Sequence, residues 1–443
     1  MTYSFLPMQT IVAKPLWFLA LFSLLLFSTA CSFKERPVDD EDNTATTTEM
    51  SITRIDGTVE ELKFTAPLEL DNIGINPLAF AVKDLNNDQR ADLVLLNSAV
   101  EEEDQAIRII MRTSQDTSDD PHQLFEVMIT LKTGTNQRPH HLIVEDINGD
   151  GIQDIIVTNP LNDTISLWEG QLTEDQFSVA DTSNEIQAGD FPTFIVADTF
   201  EDPGTIGVAI ANRASDNLSI LFDLTTDKAL LLDEEQGVAK DPLQLVSGDW
   251  NNDGCPDLAS LSSENERVDF FKNTPCLTEA DTGSSQEKTF EKIGSIEIGD
   301  DPQAMIVGDW DKDGQMDLAV SNRIDDDVSL LYGNGDGSFN RWDIRVGEGP
   351  GQMAFTDFNA DGVEDFVIGN LIDQDLTILL SNGDGIRPAD QQMAYSQAHI
   401  ASGSILAGNR PAFIKIVDIN FDEKADILLT LPFEDKFSIL LQK

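Results

Sequence analysis

Six acidic clusters along the chain share one spacing of residues that could bind a metal ion. Aspartate or asparagine occupies the first, third, fifth and ninth positions of the pattern D-x-[DN]-x-D-x-x-x-D in each of them. Alternate residues of a tight loop point to the same side, so the side chains at positions one, three and five can surround one ion. A backbone carbonyl at position seven and the carboxylate at position nine would complete the oxygen shell that Ca²⁺ prefers.

The predicted ligands follow the same order in every cluster, with positions one, three, five and nine contributing side chains and position seven its carbonyl. The first three sets are Asp84, Asn86, Asp88, Arg90 and Asp92, then Asp146, Asn148, Asp150, Ile152 and Asp154, then Asp249, Asn251, Asp253, Cys255 and Asp257. The other three sets are Asp309, Asp311, Asp313, Gln315 and Asp317, then Asp357, Asn359, Asp361, Val363 and Asp365, then Asp418, Asn420, Asp422, Lys424 and Asp426. Glycine stands at position six in four of them, where a sharp turn favours positive φ.

The number of copies separates a metal site from an ordinary acidic turn. One such match would indicate a turn, whereas six in register predict bound metal. EF-hand loops are excluded because they need a bidentate glutamate at position twelve and flanking helices. Mg²⁺ suits the pattern less well, since it prefers a strict octahedron with retained waters. A seventh copy begins at Asp198 but has Phe200 at position three and Ile206 at position nine, so only two of the four side-chain ligands remain, Asp198 and Asp202, and we expect no ion there.

The elements that hold these loops repeat about every 50–60 residues. A proline lies seven residues before the first aspartate of each copy, or six in the third, and marks one unit copied seven times. Short apolar runs rich in Val, Ile, Leu and Phe stand before and after each cluster, which indicates strands. The sequence therefore predicts an all-β fold, a seven-bladed β-propeller of four-stranded blades over residues 56–443.

The two ends of the repeat array indicate how the ring closes. The last unit stops after its third strand, and an unassigned strand-like stretch lies at Leu62–Leu70, before the first proline. We expect this stretch to complete the last blade as its fourth strand. The alternative is an open array whose exposed edge needs a separate cap.

The N-terminal residues have the features of an export signal. An apolar run from Leu16 to Phe27 is followed by Ser28-Thr29-Ala30-Cys31. Its length fits a signal peptide better than a membrane span. The small residues before the cysteine resemble a bacterial lipobox, which implies a signal peptide at 1–30, lipidation of Cys31 and, with serine next, the outer membrane. Residues 31–55 are acidic and threonine-rich and are expected to form a disordered tether. An ordinary cleaved signal peptide is the alternative.

Two cysteines remain once Cys31 is assigned to the lipid. In an exported chain an even number of cysteines predicts a disulfide, here between Cys255 and Cys276. Two free thiols are the alternative.

The clearest copy of the repeat covers residues 307–320, and glycine-rich turns follow the third strand at 333–339 and 381–385. This pattern resembles the FG-GAP/VCBS repeat of integrin α chains and of many bacterial secreted proteins. The resemblance covers about residues 56–443 and implies calcium loops between the first and second strands of a blade. It also implies that partners bind mainly on the opposite face.

Charge and resemblance together set the functional expectation. A net charge of −52 makes nucleic acid and anionic lipid head groups unsuitable partners. We expect a monomeric, lipid-anchored adhesion or ligand-binding module for a protein or glycan, with structural Ca²⁺ and no catalysis. One alternative is a secreted lyase or hydrolase acting on polysaccharide, and another is an envelope assembly scaffold. The four histidines include the pair His140-His141, which is expected to be structural.

Overall fold

The computed structural model describes residues 48–443 with fourteen gaps, and residues 1–47 lie outside it. The gaps are 54–58, 66, 71–72, 100–104, 114–123, 134–137, 175, 181–182, 201–205, 223, 225–228, 276–288, 382–394 and 401–409. The regular secondary structure of the described residues is almost all β-strand, with 3₁₀ turns at Glu234–Gln236 and Pro432–Glu434. Among these residues no helix is long and apolar enough to span a bilayer.

Seven antiparallel sheets of four strands follow one another along the chain. Three short N-terminal strands come first, β1 (Thr48–Thr53), β2 (Val59–Phe64) and β3 (Leu68–Glu69). Blade one contains β4 (Pro77–Lys83), β5 (Asp92–Asn97), β6 (Ala106–Arg112) and β7 (Phe125–Lys132). Blade two contains β8 (Leu142–Glu145), β9 (Asp154–Asn159), β10 (Thr164–Trp168) and β13 (Asn184–Gln187), with the hairpin β11 (Gly170–Thr173) and β12 (Gln176–Val179) inserted. Blade three contains β14 (Pro192–Asp198), β15 (Gly207–Asn212), β16 (Asn217–Leu221) and β17 (Ala229–Leu232).

The remaining blades keep the same order. Blade four contains β18 (Pro242–Gly248), β19 (Asp257–Ser262), β20 (Arg267–Thr274) and β21 (Thr289–Glu297). Blade five contains β22 (Pro302–Gly308), β23 (Asp317–Asn322), β24 (Asp327–Gly333) and β25 (Phe339–Arg345). Blade six contains β26 (Pro350–Thr356), β27 (Asp365–Asn370), β28 (Asp375–Ser381) and β29 (Tyr395–Ile400). Blade seven contains β30 (Phe413–Val417), β31 (Asp426–Leu431) and β32 (Lys436–Leu440), and takes β3 as its outer strand.

Burial within a blade explains the composition of its strands. The second strand is buried along its whole length in all seven blades, because its two faces pack against both neighbouring blades. Outer strands such as β21 and β25 alternate between half-buried and exposed residues, as their polar sequences indicate. The core therefore consists of apolar layers between adjacent blades.

The ring is closed by the two ends of the chain, as predicted. The innermost strand of each blade contacts that of the next, and β30 contacts β4 to complete the circle. In blade seven, β3 pairs with β32 through Leu68 opposite Ile439 and Glu69 opposite Ser438. The all-β, seven-bladed propeller expected from the repeat, with its last blade completed by an N-terminal strand, is confirmed.

The N-terminal boundary differs from the expected one. Residues 48–53, which were placed in the tether of 31–55, form β1 and pair with β2 from Thr48 opposite Phe64 to Thr53 opposite Val59. Isoleucine and threonine in this segment favour an extended backbone, so strand pairing starts before position 56. The predicted signal peptide, Cys31 and the rest of the tether lie outside the described residues.

Candidate metal centres

The six predicted loops share one backbone framework centred on the aspartate at position one. Its two carboxylate oxygens accept hydrogen bonds from the backbone N–H groups of positions five and six, at 3.0–3.1 Å and 2.7–3.0 Å, in all six copies. Position six has positive φ whether it is glycine, as at Gly314, or not, as at Gln89 and Glu423. The loops at 84–92 and 418–426 therefore adopt the shape of the others without the glycine that would make it easiest.

Position five is held in the same repeated way. One oxygen of its aspartate accepts the N–H of position seven at 2.8–3.1 Å in every copy. Because the N–H of position seven is used inside the loop, the backbone at this position is fixed. Its carbonyl remains the predicted fifth ligand.

The aspartate at position nine ties each loop to its blade. One carboxylate oxygen accepts the N–H of position two at 2.8–3.3 Å, and the other accepts an N–H at the end of the blade's third strand at 2.7–2.9 Å. All six of these side chains are fully buried or nearly so. A carboxylate has about four acceptor positions, so two hydrogen bonds leave room for a cation.

Position two anchors the loop and was missed by the sequence analysis. Five of its six side chains are buried between blades: Leu85, Trp250, Trp310, Phe358 and Ile419. The sixth, Ile147, packs against the core from a half-buried position. The sequence carries a signal for this anchor, because an apolar residue follows the first aspartate in all six copies. Where it is tryptophan, a glycine precedes the loop, because a Cβ on Gly308 would lie 2.2 Å from the Trp310 ring.

The electrostatics of position nine indicate sites suited to a cation. Burial raises the pKa of Asp92 and Asp257 to about 6, of Asp317 and Asp426 to about 7, and of Asp365 to about 8. Neighbouring aspartates of the same loop contribute to each of these shifts. A buried negative charge surrounded by like charges is unfavourable unless a cation compensates it.

In the loop of blade five, at 309–317, the separation of the ligand atoms fits a single calcium ion. One carboxylate oxygen each from Asp309, Asp311 and Asp317 lies within 4.8 Å of the other two. Ca²⁺ binds oxygen at about 2.3–2.6 Å, so ligands on opposite sides of one ion lie about 4.6–5.2 Å apart. Three carboxylate oxygens with this spacing are compatible with part of the shell of six to eight oxygens that calcium takes.

In two loops a predicted ligand aspartate pairs with a positively charged side chain, which would compete with a metal. Lys272 Nζ lies 2.8 Å from Asp253 in the fourth-blade loop, and the Arg90 guanidinium lies 3.4 Å from Asp88 in the first. In the fourth-blade loop the Asn251 amide also donates to Asp257 at 2.5 Å. Binding there would require the lysine to move and the amide to turn its oxygen inward, so we expect these two loops to bind more weakly.

The loop of the third blade departs from the others, as expected. Asp198 accepts the N–H of the adjacent Thr199 at 2.7 Å, a hydrogen bond that the other copies do not share among their described residues. Phe200, at position three, is fully buried with its ring edge toward Phe290. Asp202 lies outside the described residues. A buried phenyl ring at a ligand position leaves this copy unsuited to hold an ion.

The cysteine and histidine predictions are placed only in part. Cys255 is disulfide-bonded, and its predicted partner Cys276 lies outside the described residues.

His141 is buried and stacks on Phe194 with ring centroids 3.8 Å apart, and burial lowers its pKa to about 3. His140 is exposed, and its Nδ1 is hydrogen-bonded to the Thr193 carbonyl oxygen at 2.8 Å. A neutral, stacked histidine is a packing element.

The raised pKa values at position nine predict opposite pH dependences with and without calcium. A group whose pKa is raised on folding stabilises the fold when protonated. In EGTA we therefore expect the free energy of unfolding to rise from pH 8 to pH 5, by up to about 1.4 kcal/mol per pH unit for each titrating group. With saturating Ca²⁺ the melting temperature should fall over the same range, because protons compete with the ion. Thermal melts from pH 8 to pH 5, in EGTA and in saturating Ca²⁺, measure both pH dependences.

The control for this prediction uses one conservative substitution. Asp365→Asn should raise the melting temperature in EGTA at pH 8 and flatten its pH dependence, whereas Asp190→Asn, at an exposed linker position, should do neither. Equal slopes for both variants would contradict the assignment of the pH dependence to position nine.

Comparison with known proteins agrees with this architecture. Residues 249–320 and 309–368 match the FG-GAP-like repeat. None of the curated proteins compared with the chain matches it.

Solved structures match over a larger part of the chain. The BBS1N chain of a complex with ARL6DN superposes with a TM-score of 0.54 and 8% identity, covering 85% of this chain and 96% of its own. A candidate 6-phosphogluconolactonase from Bacteroides fragilis gives a TM-score of 0.53 and 14% identity, covering 86% and 100%. At these identities the likeness concerns the fold alone. The chain is thus a seven-bladed β-propeller that carries FG-GAP-like repeats.

Proposed function

We propose that this protein is an exported binding module whose propeller is stabilised by calcium in six loops. The observation that carries the proposal is the common framework at positions one, five and nine. It holds acidic oxygens in one arrangement in six separate blades. In this role calcium is structural, because it binds the folded loops and so stabilises the ring by mass action.

The recognition surface of the proposed module is the face opposite the metal loops. Loops between the first and second strands of a blade lie at one end of the propeller, and turns between the second and third strands lie at the other. A protein or glycan partner would contact these turns and the linkers that lead to the seven prolines. A lipid on Cys31 would hold the module at the outer membrane as a monomer.

The fold relatives do not decide between binding and catalysis. One is described in complex with ARL6DN and the other as a candidate 6-phosphogluconolactonase. Binding is favoured by the state of the histidine pair, since buried His141 is neutral and stacked and is unsuited to act as a base. Incubation of the purified protein with a panel of polysaccharides tests the choice. Retention on an immobilised glycan or envelope protein without turnover supports a binding module, and product formation contradicts it.

A single-loop substitution tests the metal assignment. Asp313→Ala removes a position-five ligand and should lower the bound calcium by one ion per chain while the propeller stays folded. The cost should be about 1–3 kcal/mol, the stabilisation expected from one occupied site. Metal analysis after dialysis gives the count. The matched control is Asp202→Ala in the third copy, which should change neither the count nor the melting temperature.

A further inference from the structure

The face that carries the seven prolines presents exposed apolar side chains at the tips of its turns. Eight large apolar side chains are exposed among the described residues, and five lie on this face. They are Ile75 in the linker to blade one, Leu161, Ile324 and Ile372 in second-to-third-strand turns, and Phe433 in the corresponding turn of blade seven. Exposed apolar side chains that stand singly are common on protein surfaces, whereas two that share one cleft can mark an interaction site.

Two of these side chains line one cleft between blades five and six. The cleft has a volume of about 460 Å³, and Ile324 and Ile372 form its apolar sides with exposed fractions of 64% and 57%. Arg323, Asp326 and Glu348 complete its lining. We refer to these five residues as the blade 5–6 cleft.

The backbone around the cleft is fixed by hydrogen bonds between its turns and linkers. The Gly349 N–H donates to Asp326 at 3.0 Å, the Leu371 N–H donates to the Gly349 carbonyl at 2.7 Å, and the Glu348 N–H donates to Asp373 at 2.7 Å. Gly349 has a φ of +67°, and a Cβ there would lie 2.7 Å from Ile372. The isoleucines are therefore presented by a preorganised frame, which reduces the entropy lost when a partner binds.

The charge around the cleft selects the kind of partner. Asp326 and Glu348 line it, and Asp325 and Asp373 stand in the same two turns. Arg323, the cation of the lining, is already paired with Asp301, to which its Nε donates at 2.6 Å. Arg345 lies 3.6 Å from Asp326, so Glu348 is the lining carboxylate that we assign to a partner's cation. An apolar cleft with an acidic rim complements an aliphatic side chain flanked by lysine or arginine.

We propose that the blade 5–6 cleft binds an extended peptide segment of a protein partner in which a Leu, Ile or Val is flanked by Lys or Arg. Ile324 and Ile372 hold the aliphatic side chain, and Glu348 pairs with a flanking cation. The inference rests on the proposed binding function and specifies the partner for one part of the recognition face.

A positional-scanning library of labelled hexapeptides tests this specificity on the full chain with Ca²⁺ present. Pools with an aliphatic residue between basic residues should be retained most strongly, and retention should weaken at higher salt. Ile324→Ser combined with Ile372→Ser should reduce their binding by at least about tenfold, the effect expected when apolar contacts are lost at a small site. Glu348→Gln should reduce the preference for basic residues and leave the aliphatic preference in place.

The control is Leu161→Ser, an exposed turn tip on the same face but in blade two, which should leave the binding unchanged. Selection of acidic pools, absence of any selection, or equal binding by the double isoleucine variant would overturn the inference. Retention of a glycan or envelope protein by the unmodified chain, with no peptide pool selected, would show that the binding function stands while the cleft assignment fails.

Discussion

Excess EGTA is expected to lower the melting temperature of this protein by about 20 °C. Each site occupied at a hundred times its Kd adds about 2.7 kcal/mol, so six sites would add about 16 kcal/mol. The entropy of unfolding of the propeller at residues 56–443 is about 0.8 kcal/mol/K, which converts that free energy into about 20 °C. Differential scanning calorimetry before and after chelation measures the shift.

The recovery step identifies the ion. Ca²⁺ added after removal of EGTA should restore the original melting temperature, whereas Mg²⁺ should restore little of it because the loops offer a mostly protein-made oxygen cage. Calorimetric titration should give about six ions per chain. The weakest sites should be the two loops whose aspartates pair with Lys272 and Arg90. A melting curve unaffected by chelation would contradict structural calcium, and seven ions would contradict the exclusion of the third copy.

The repeat made most of the fold predictable because each copy repeats the same relation between a proline, an acidic loop and three apolar runs. Even the defect of the third copy was visible, since Phe200 stands where a ligand should be and is buried in the structure. The closure by β3 followed from counting, because blade seven lacked one strand and an unused strand-like stretch preceded blade one.

Other features escaped the sequence analysis because they depend on packing between distant residues. The residue before each of the seven prolines has positive φ, although Gly349 is the sole glycine among them. At Asn76, the residue before the first proline, another blade supports this conformation. Asp435 of blade seven accepts the Asn76 N–H at 2.7 Å, across the closure of the ring. The hairpin β11–β12 is specific to blade two, so the repeat carries no signal for it.

Removal of residues 1–70 is expected to open the propeller. The N-terminal segment packs at both interfaces of blade seven, with blade six on one side and with blade one on the other. Leu62 and Phe64 pack with blade six residues, and Leu70 packs with blade one residues. Backbone bonds fix it along β32, with the Thr65 N–H donating to Leu441 at 2.9 Å and the Lys443 N–H donating to Lys63 at 2.7 Å. Without the N-terminal segment, the edge of β32 and apolar surface at both interfaces of blade seven would be exposed, which favours aggregation.

Two truncations and two substitutions separate this closure from a general effect of shortening. Removal of residues 1–47 keeps every described strand and should leave the melting temperature unchanged, whereas removal of 1–70 should lower it by more than about 10 °C, as expected when several large buried side chains are lost. Phe64→Ala should give a graded loss of about 3–5 kcal/mol, because the ring is fully buried against Phe358. Phe433→Ala, at a side chain 68% exposed in the same blade, should cost little. If both truncated chains melt together with the full chain, the ring must close without its N-terminal strand, and blade seven would have to be stable with three strands.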